Sequence, residues 1–459
     1  VIPMRLSEIA RVLDADLCDV RDPQALVTAP SAVDSRDVVP GGLFVATAGA
    51  RADGHDYAVK AVAGGAVAVL ASRPVGVPAL VVPDVQLALG LLARHMLGHI
   101  SPAVIGLTGS VGKTTTKDLL AQVLERHAPT IATDKSFNNE IGLPLTVLRA
   151  DAMTRYLVLE MGAGRKGDLT YLTELAPPRV GVVLNVGAAH VVRMGGGLAN
   201  VAAAKGELVE ALPTDGFALL NADDPYVVGM VGLTRAQVTL YGRSAGAHVR
   251  AADVRMGEGA RPSFELVTPS GRARVELDLI GEHQVSNALA AAAVATTLGL
   301  SADEVADGLN AARRRSAGRL EILERPDGVT IVNDAYNANP ESMRAGLRTL
   351  KALAGGRRTV AVLGAMGQQG EASRTRHAQV GRLVAELGTN VLIAVGSGDP
   401  VAMAQEAQSA NMGVTVHLAE DVAGAVRLAA GLLEPGDVVL VKASSEIGLS
   451  ACAHELARA

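Results

Sequence analysis

Val104-Ile-Gly-Leu-Thr-Gly-Ser-Val-Gly-Lys-Thr-Thr-Thr-Lys-Asp118 carries an apolar run into a glycine turn and then into a helix start, with Lys113 and Thr114 at the junction. Such a turn wraps phosphate. Gly109 and Gly112 let the backbone from Gly109 through Ser110 and Val111 aim its N–H groups inward, and the helix N-terminus adds partial positive charge. Lys113 supplies a full charge, and the Thr114 hydroxyl, with Thr115 beside it, is placed to ligate Mg²⁺. Strict Walker spacing is not met, because the position five before Gly112 is Leu107 and the extra glycine, Gly106, comes one residue too early. The preceding strand and the Gly-Lys-Thr-Thr run nevertheless favour ATP or GTP over an ordinary glycine turn.

The 459 residues exceed what one hydrophobic core serves, and about three domains are expected. Apolar residues make up 49% but aromatics only 2%, with no tryptophan, so Ala, Val and Leu must fill the cores. That palette suits parallel sheets covered by helices. A formal net charge of −5 excludes a general basic field for nucleic acid. Cys18 and Cys452 lie near opposite ends without metal-ligand or disulfide spacing, and read as idle thiols in a reducing cytosol. No apolar stretch of about 18 residues suggests a membrane span, and Val-Ile-Pro-Met-Arg does not open like a secretory leader, so a cytoplasmic protein is expected.

Apolar runs set out the organisation. Strands are expected at 42–46, 66–71 and 79–82 with a helix over 85–100, a small α/β module. Strands at 104–107, 156–160, 180–185 and 218–221 alternate with helices and predict a parallel sheet, to which a polar, turn-rich stretch from 240 to 280 adds β-structure before an alanine-rich helix over 285–298. Arg313–Arg315 reads as a solvated helix end in preference to a binding patch. Strands at 330–333, 359–363, 391–395 and 438–441 predict a further doubly wound sheet, without the Gly-x-Gly-x-x-Gly of a dinucleotide fold. The fold class is therefore α/β in three domains: a small N-terminal module (1–100), a central phosphate-loop sheet (101–313) and a C-terminal Rossmann-like sheet (314–459).

In such sheets, ligands for a metal partner come from strand ends beside the phosphate loop. Glu160 ends one strand with a carboxylate, and Asn185 and His190 follow the next. Each alone fits a solvated surface residue; together after a phosphate loop they favour a metal-linked role. Lys205, in an apolar helix start, reads equally as a snorkelling lysine. Asn221-Ala-Asp-Asp-Pro225 is either a polar binding segment or a turn.

Thr108–Lys117, Phe137-Asn-Asn-Glu-Ile-Gly142, Leu159-Glu-Met-Gly162, Asn185-Val-Gly-Ala-Ala-His190, Lys205-Gly-Glu207, Gly281-Glu-His-Gln-Val-Ser-Asn287 and Asp334-Ala-Tyr-Asn-Ala-Asn-Pro-Glu-Ser-Met343 follow one another along nearly the whole chain. In this order they resemble the Mur ligase family of peptidoglycan synthesis, and within it the members that join D-alanyl-D-alanine to a UDP-N-acetylmuramoyl tripeptide. The resemblance implies ATP and Mg²⁺, with Lys113 and the loop amides on the β- and γ-phosphates and Thr114, Glu160 and His190 serving the metal. Lys205 matches a lysine that the family carries as a carbamate. His283 and Asn287 match residues near the adenine, and Arg319 and Asp334 those reaching the γ-phosphate and ribose. Ser35 and Arg36, in the block Asp34–His55, match the uridine diphosphate site; Asn138, Asn139, Asn337 and Asn339 match other substrate contacts. The implied reaction passes through an acyl phosphate, which the dipeptide's amine attacks. The partners implied are these small molecules, with no nucleic acid and no membrane insertion, and a monomer is expected.

The third domain departs from the family's pattern. Gly364-Ala365-Met366 lacks the usual acid, Lys442-Ala-Ser-Ser445 lacks the usual arginine, and Val191-Val-Arg-Met-Gly195 replaces Gly-Glu-Phe-Gly. These changes fall where the incoming amine should dock. Two alternatives therefore stand beside the D-Ala-D-Ala ligase: a paralogue that takes a different D-Ala-D-X amine, and a non-catalytic nucleotide- and muramyl-peptide-binding protein. A GTPase is disfavoured by the lack of Asn-Lys-x-Asp.

Overall fold

The computed structural model describes residues 1–49 and 52–458. Ala50 and Arg51, within the Asp34–His55 block, and Ala459 lie outside the described residues. Three main sheets follow one another along the chain. The first has four strands in the order Asp16–Cys18, Ala79–Val81, Ala68–Ala71, Leu43–Val45, antiparallel at the first pair and parallel beyond it. Its helix runs over Val85–Leu97, capped by Asp84, and stops before the expected Ile100.

The central sheet has nine strands, and seven of them, from Val249–Met256 to Thr130–Ala132, run parallel. The strand Ala103–Thr108 lies between Val180–Val183 and Tyr156–Glu160, so the phosphate turn and both chemically loaded strand ends emerge at one edge. The polar 240–280 stretch does extend this sheet, as Pro262–Thr268 and Gly271–Glu276 in antiparallel pairing. The third sheet has six strands, with Glu321–Glu324 an antiparallel edge and Thr330–Asn333, Val438–Lys442, Thr359–Leu363, Val391–Val395 and Thr415–Ala419 parallel.

Small residues set the spacing around the phosphate-loop helix, Lys113–Glu125. The helix Gln284–Thr297 buries a nearly unbroken alanine face in the core beside it. Gly308, on the helix Ala302–Ala311, comes so near that an added Cβ would meet Val123 Cα at 3.1 Å. Two expectations change. The strand expected over 180–185 ends at Val183, because Asn185 turns to the phosphate loop. Arg313–Arg315 is no helix end: the helix stops at Ala311, and the three arginines form a connector paired with Asp278, Glu321 and Glu125. No described helix is long and apolar enough to cross a membrane.

Candidate functional site

The turn from Gly109 to Gly112 feeds a helix whose first backbone bond is Thr116 N–H to Gly112 C=O, so the N–H groups before it have no helical acceptor. Gly112 holds φ at +85°, and a methyl group there would run into Asn287 Oδ1. Not every loop amide is free. The Ser110 and Val111 N–H groups both donate to Asn185 Oδ1, at 3.0 and 2.9 Å. Inward donors for phosphate are thus the amides from Gly112 to Thr115 and the Lys113 ammonium, which meanwhile donates to Gly109 C=O at 2.8 Å. Burial pulls the Lys113 pKa down, and the Glu160 charge opposes that shift.

Thr114 and Glu160 meet directly. The Thr114 hydroxyl donates to Glu160 Oε2 at 2.8 Å, and Asn138 Nδ2 donates to Oε1 at 2.6 Å. Ser136, which no sequence signal marked, touches Thr114 Oγ1 and accepts from Arg319 Nη2. Arg319 in turn lies 4.3 Å over the Tyr336 ring, and its Nε is buried without a partner among the described residues. Asp334 Oδ2 accepts from Lys442 Nζ at 2.6 Å, and that ammonium also donates to Asn337 C=O. Lys442 was visible in the sequence only as part of an altered motif; its pairing with Asp334 depends on two neighbouring strand ends of the third sheet.

These groups share one cavity of about 250 Å³, lined from the central sheet by Lys113, Thr114 and Glu160 and from the third by Asp334 and Lys442, with Arg319 from the connector. His283 and Asn287 line its far side. Burial lowers the His283 pKa to about 4. A neighbouring cavity of about 250 Å³ opens beyond Asn337, lined by His190, Gln368, Ser445 and Glu446 among others, with no lysine or arginine among the described residues of its wall.

His190 stands apart from Glu160 and bonds to neither it nor Thr114 among the described contacts. Held at φ +58°, it meets Gln368 Oε1 through Nδ1. An amide oxygen only accepts, so Nδ1 carries the proton, and in the neutral ring Nε2 keeps its lone pair. Burial lowers its pKa, and the charges of Lys113 and Lys205 act in the same direction. Lys205 is 2% exposed, and burial followed by the Lys113 charge brings its pKa to about 7.

Other expected residues have structural duties. Asn139 is exposed, and its Oδ1 accepts from Gly142 N–H at the start of the helix Gly142–Val147. Asn339 caps the helix Pro340–Ala354 in a reciprocal box with Ser342 while still lining the cavity. In the N-terminal unit, exposed Arg36 pairs with Asp34, whose carboxyl it holds far below the usual range, and Ser35 is half-buried. Asp53 gathers His55 and Arg73.

Mg²⁺ takes few protein ligands and completes its shell with water and phosphate oxygens. The Thr114 hydroxyl and Glu160 carboxylate, adjacent oxygen donors at a phosphate turn, fit it, although no cluster of three or more acidic, His or Cys side chains forms among the described residues.

A phosphate turn with a strand-end carboxylate, completed by an arginine from the connector and an aspartate at a strand end of the following sheet, defines a multidomain ATP-dependent ligase class. Three family models match in chain order: the Mur ligase family catalytic domain over residues 32–97, the Mur ligase middle domain over 107–295 and the Mur ligase glutamate ligase domain over 318–445. The chain belongs to the Mur ligase family. It is 42% identical to the UDP-N-acetylmuramoyl-tripeptide--D-alanyl-D-alanine ligase of Mycobacterium tuberculosis, covering 99% of this chain and 98% of that protein. It is 35% identical to the protein of that name from Escherichia coli, covering 100% and 98%. The crystal structure of MurF from Acinetobacter baumannii superposes with a TM-score of 0.86 at 30% identity over the whole of both chains. MurF from Thermotoga maritima in complex with ADP gives 0.79 at 30% identity, covering 94% of this chain and 98% of that one.

Proposed function

We propose that this chain is the ligase that joins a UDP-N-acetylmuramoyl tripeptide to D-alanyl-D-alanine in peptidoglycan synthesis, as a cytoplasmic monomer using ATP. The observation that carries this reading is the meeting of Lys113, Glu160, Arg319 and Asp334 in one cavity from separate parts of the chain. Residues 1–100 hold the uridine diphosphate at Ser35 and Arg36, residues 101–313 hold ATP from Gly109 to Thr115, and residues 314–459 bring the amine.

The triphosphate lies along the free amides of the helix start with Lys113 beside it, and His283 and Asn287 face the base. Asp334, fixed by Lys442, receives the ribose, while Arg319 reaches the γ-phosphate. Thr114, Glu160 and His190, the last through its Nε2 lone pair, would serve the Mg²⁺ ions, and Lys205 as a carbamate would help to hold a second one. Bound there, the metal neutralises charge between crowded anions. The tripeptide's terminal carboxylate attacks the γ-phosphorus, with Asn138 and Asn337 flanking it, the bond from that phosphorus to the bridging oxygen breaks so that ADP leaves, and an acyl phosphate forms. The dipeptide's amine attacks that carbonyl and phosphate leaves. Closure of the third unit keeps water from the acyl phosphate.

The test is phosphate release that requires both peptide substrates, with the product's mass equal to their amide. Release without amine, or none at all, rejects it. One observation favours a second reading: the cavity beyond Asn337 has no cationic side chain among the described residues of its wall and contains Glu446, a poor match for a dipeptide carboxylate. A different amine, tested by a panel of D-Ala-D-X compounds, is that alternative.

A further inference from the structure

Glu341 lies in the first turn of the helix Pro340–Ala354, yet its side chain reaches the central unit. Oε1 accepts the Ala188 N–H at 3.0 Å. The carboxyl group lies close over Gly187, where an added Cβ would stand 2.9 Å from Cδ and push the carboxyl aside. Gly187 is in turn gripped by the phosphate loop, since the Ser110 hydroxyl accepts its N–H at 2.8 Å and lies 3.1 Å from its C=O.

The second oxygen, Oε2, is buried and has no hydrogen-bond partner among the described residues. Buried carboxylate oxygens are normally satisfied, and an orphan one at a working site marks a missing donor. Glu341 lines the same cavity as Lys113 and Glu160, so the donor arrives from that space. The reactants of the proposed reaction narrow the choice. Ionised phosphates and the tripeptide carboxylate only accept, and the base and ribose are drawn to His283, Asn287 and Asp334. The tripeptide has peptide N–H groups of its own, but the incoming amine is the reactant whose N–H donors and positive charge must reach the reacting carbonyl at this end.

We propose that Glu341 Oε2 receives the ammonium group of the incoming amine and takes its proton, which makes Glu341 a catalytic residue of the amide-forming step; this rests on the ligase reading above. One proton passes from nitrogen to Oε2, and the freed lone pair forms the C–N bond to the acyl-phosphate carbon. The C–O bond to phosphorus's oxygen breaks with its electrons going to that oxygen, and the second proton departs with it as hydrogen phosphate. Glu341 then returns its proton to water.

The experiment uses the full chain with Mg-ATP and the UDP-tripeptide, comparing wild type with Glu341→Gln and Glu341→Asp. Glutamine keeps an oxygen for Ala188 but cannot take a proton. Two nucleophiles are supplied in turn: D-Ala-D-Ala, which arrives as an ammonium ion, and hydroxylamine, which is neutral near pH 7 and traps the acyl phosphate as a hydroxamate. For Glu341→Gln, kcat/KM for the dipeptide should fall about a hundredfold, while the ATP KM and hydroxamate formation stay within about twofold of wild type. Glu341→Asp should recover part of the dipeptide reaction. The proposal is overturned if Glu341→Gln ligates the dipeptide like wild type, or if it loses hydroxamate and dipeptide product equally, which would make Glu341 a support for the phosphate loop. Absence of both products from the wild type would instead reject the ligase reading.

Discussion

Asn185 and Val111 hold each other through a reciprocal pair of hydrogen bonds, Val111 N–H to Oδ1 at 2.9 Å and Nδ2 to Val111 C=O at 3.1 Å. Because Oδ1 also takes the Ser110 N–H, one amide side chain fixes the glycine turn before nucleotide arrives. Preorganisation of this kind lowers the ordering cost of binding.

Asn185→Ala should therefore raise the ATP KM about tenfold, the equivalent of about 1.4 kcal/mol, and leave the KM for the UDP substrate unchanged. Asn185→Asp should be worse, since a carboxylate cannot donate to Val111 C=O and adds negative charge beside the triphosphate. Steady-state kinetics with each substrate varied in turn checks both. An Asn185→Ala enzyme with an unaltered ATP KM would remove the clamp from the account.

A second pair has a larger structural consequence. Lys442, 2% exposed, and Asp334 form an ion pair inside the cavity wall. Lys442→Met leaves Asp334 without its cation, a change that typically costs about 3–5 kcal/mol, whereas removing both charges is far milder. Thermal denaturation should thus rank Lys442→Met well below the double variant Lys442→Met/Asp334→Asn. The double variant should still bind ATP weakly, as the ribose contact is gone.

The contrast between these pairs shows what was legible in the chain. Asn185 could be marked because an amide ending an apolar strand beside a phosphate turn is a local pattern. Its cost to the strand, which stops at Val183, could not be read, because the competing donors lie more than seventy residues away. The runs 330–333, 359–363 and 391–395 gave their strands directly: each is β-branched, apolar and buried on both faces. Edge strands such as Thr130–Ala132 and Thr415–Ala419 are only partly buried and carry no such run. Ser136, Gln368 and Glu341 acquire meaning only from the neighbours that the sheets bring to them.

Lys205 should make the enzyme sensitive to carbon dioxide. With its pKa brought to about 7, the amine is largely neutral above that pH, the form that adds CO₂ to give a carbamate. Below pH 7 protonation withdraws the nucleophile. Activity of CO₂-depleted protein should therefore be low and recover with bicarbonate, more completely at pH 8 than at pH 6. Lys205→Arg should be inactive and unrescued. Equal activity with and without CO₂ across that range would exclude the carbamate.

His283 predicts a stability effect with a defined sign. Its folded pKa, about 4, lies below the ordinary value of 6.5 because burial disfavours the cation. Between those values the unfolded chain binds a proton that the folded chain does not. Stability contributed by neutral His283 is thus complete above pH 6.5 and is lost as pH falls towards 4. Denaturant unfolding across this window should show a shallower acid loss for His283→Asn than for wild type. Identical slopes would mean that His283 titrates alike in both states.

The amine end of the site offers a gain of function. Ser445 lines the cavity beyond Asn337 and is exposed, so a longer side chain can extend from it without disturbing a core. An arginine there would present two parallel N–H donors to a carboxylate, and Glu446 beside it would keep the guanidinium in the cavity when no substrate is bound. A charge-assisted contact contributes about 1.5–3 kcal/mol, equivalent to a ten- to hundredfold change in affinity. Ser445→Arg should therefore lower the KM for D-Ala-D-Ala while kcat/KM for the same dipeptide with its carboxylate amidated stays flat or falls. The two amines share every atom that reaches the acyl phosphate, so the ratio of their kcat/KM values isolates the distal contact from any general damage. A ratio unmoved by the arginine would place the dipeptide's carboxylate away from Ser445 and send the search for its counter-charge to another wall of the cavity.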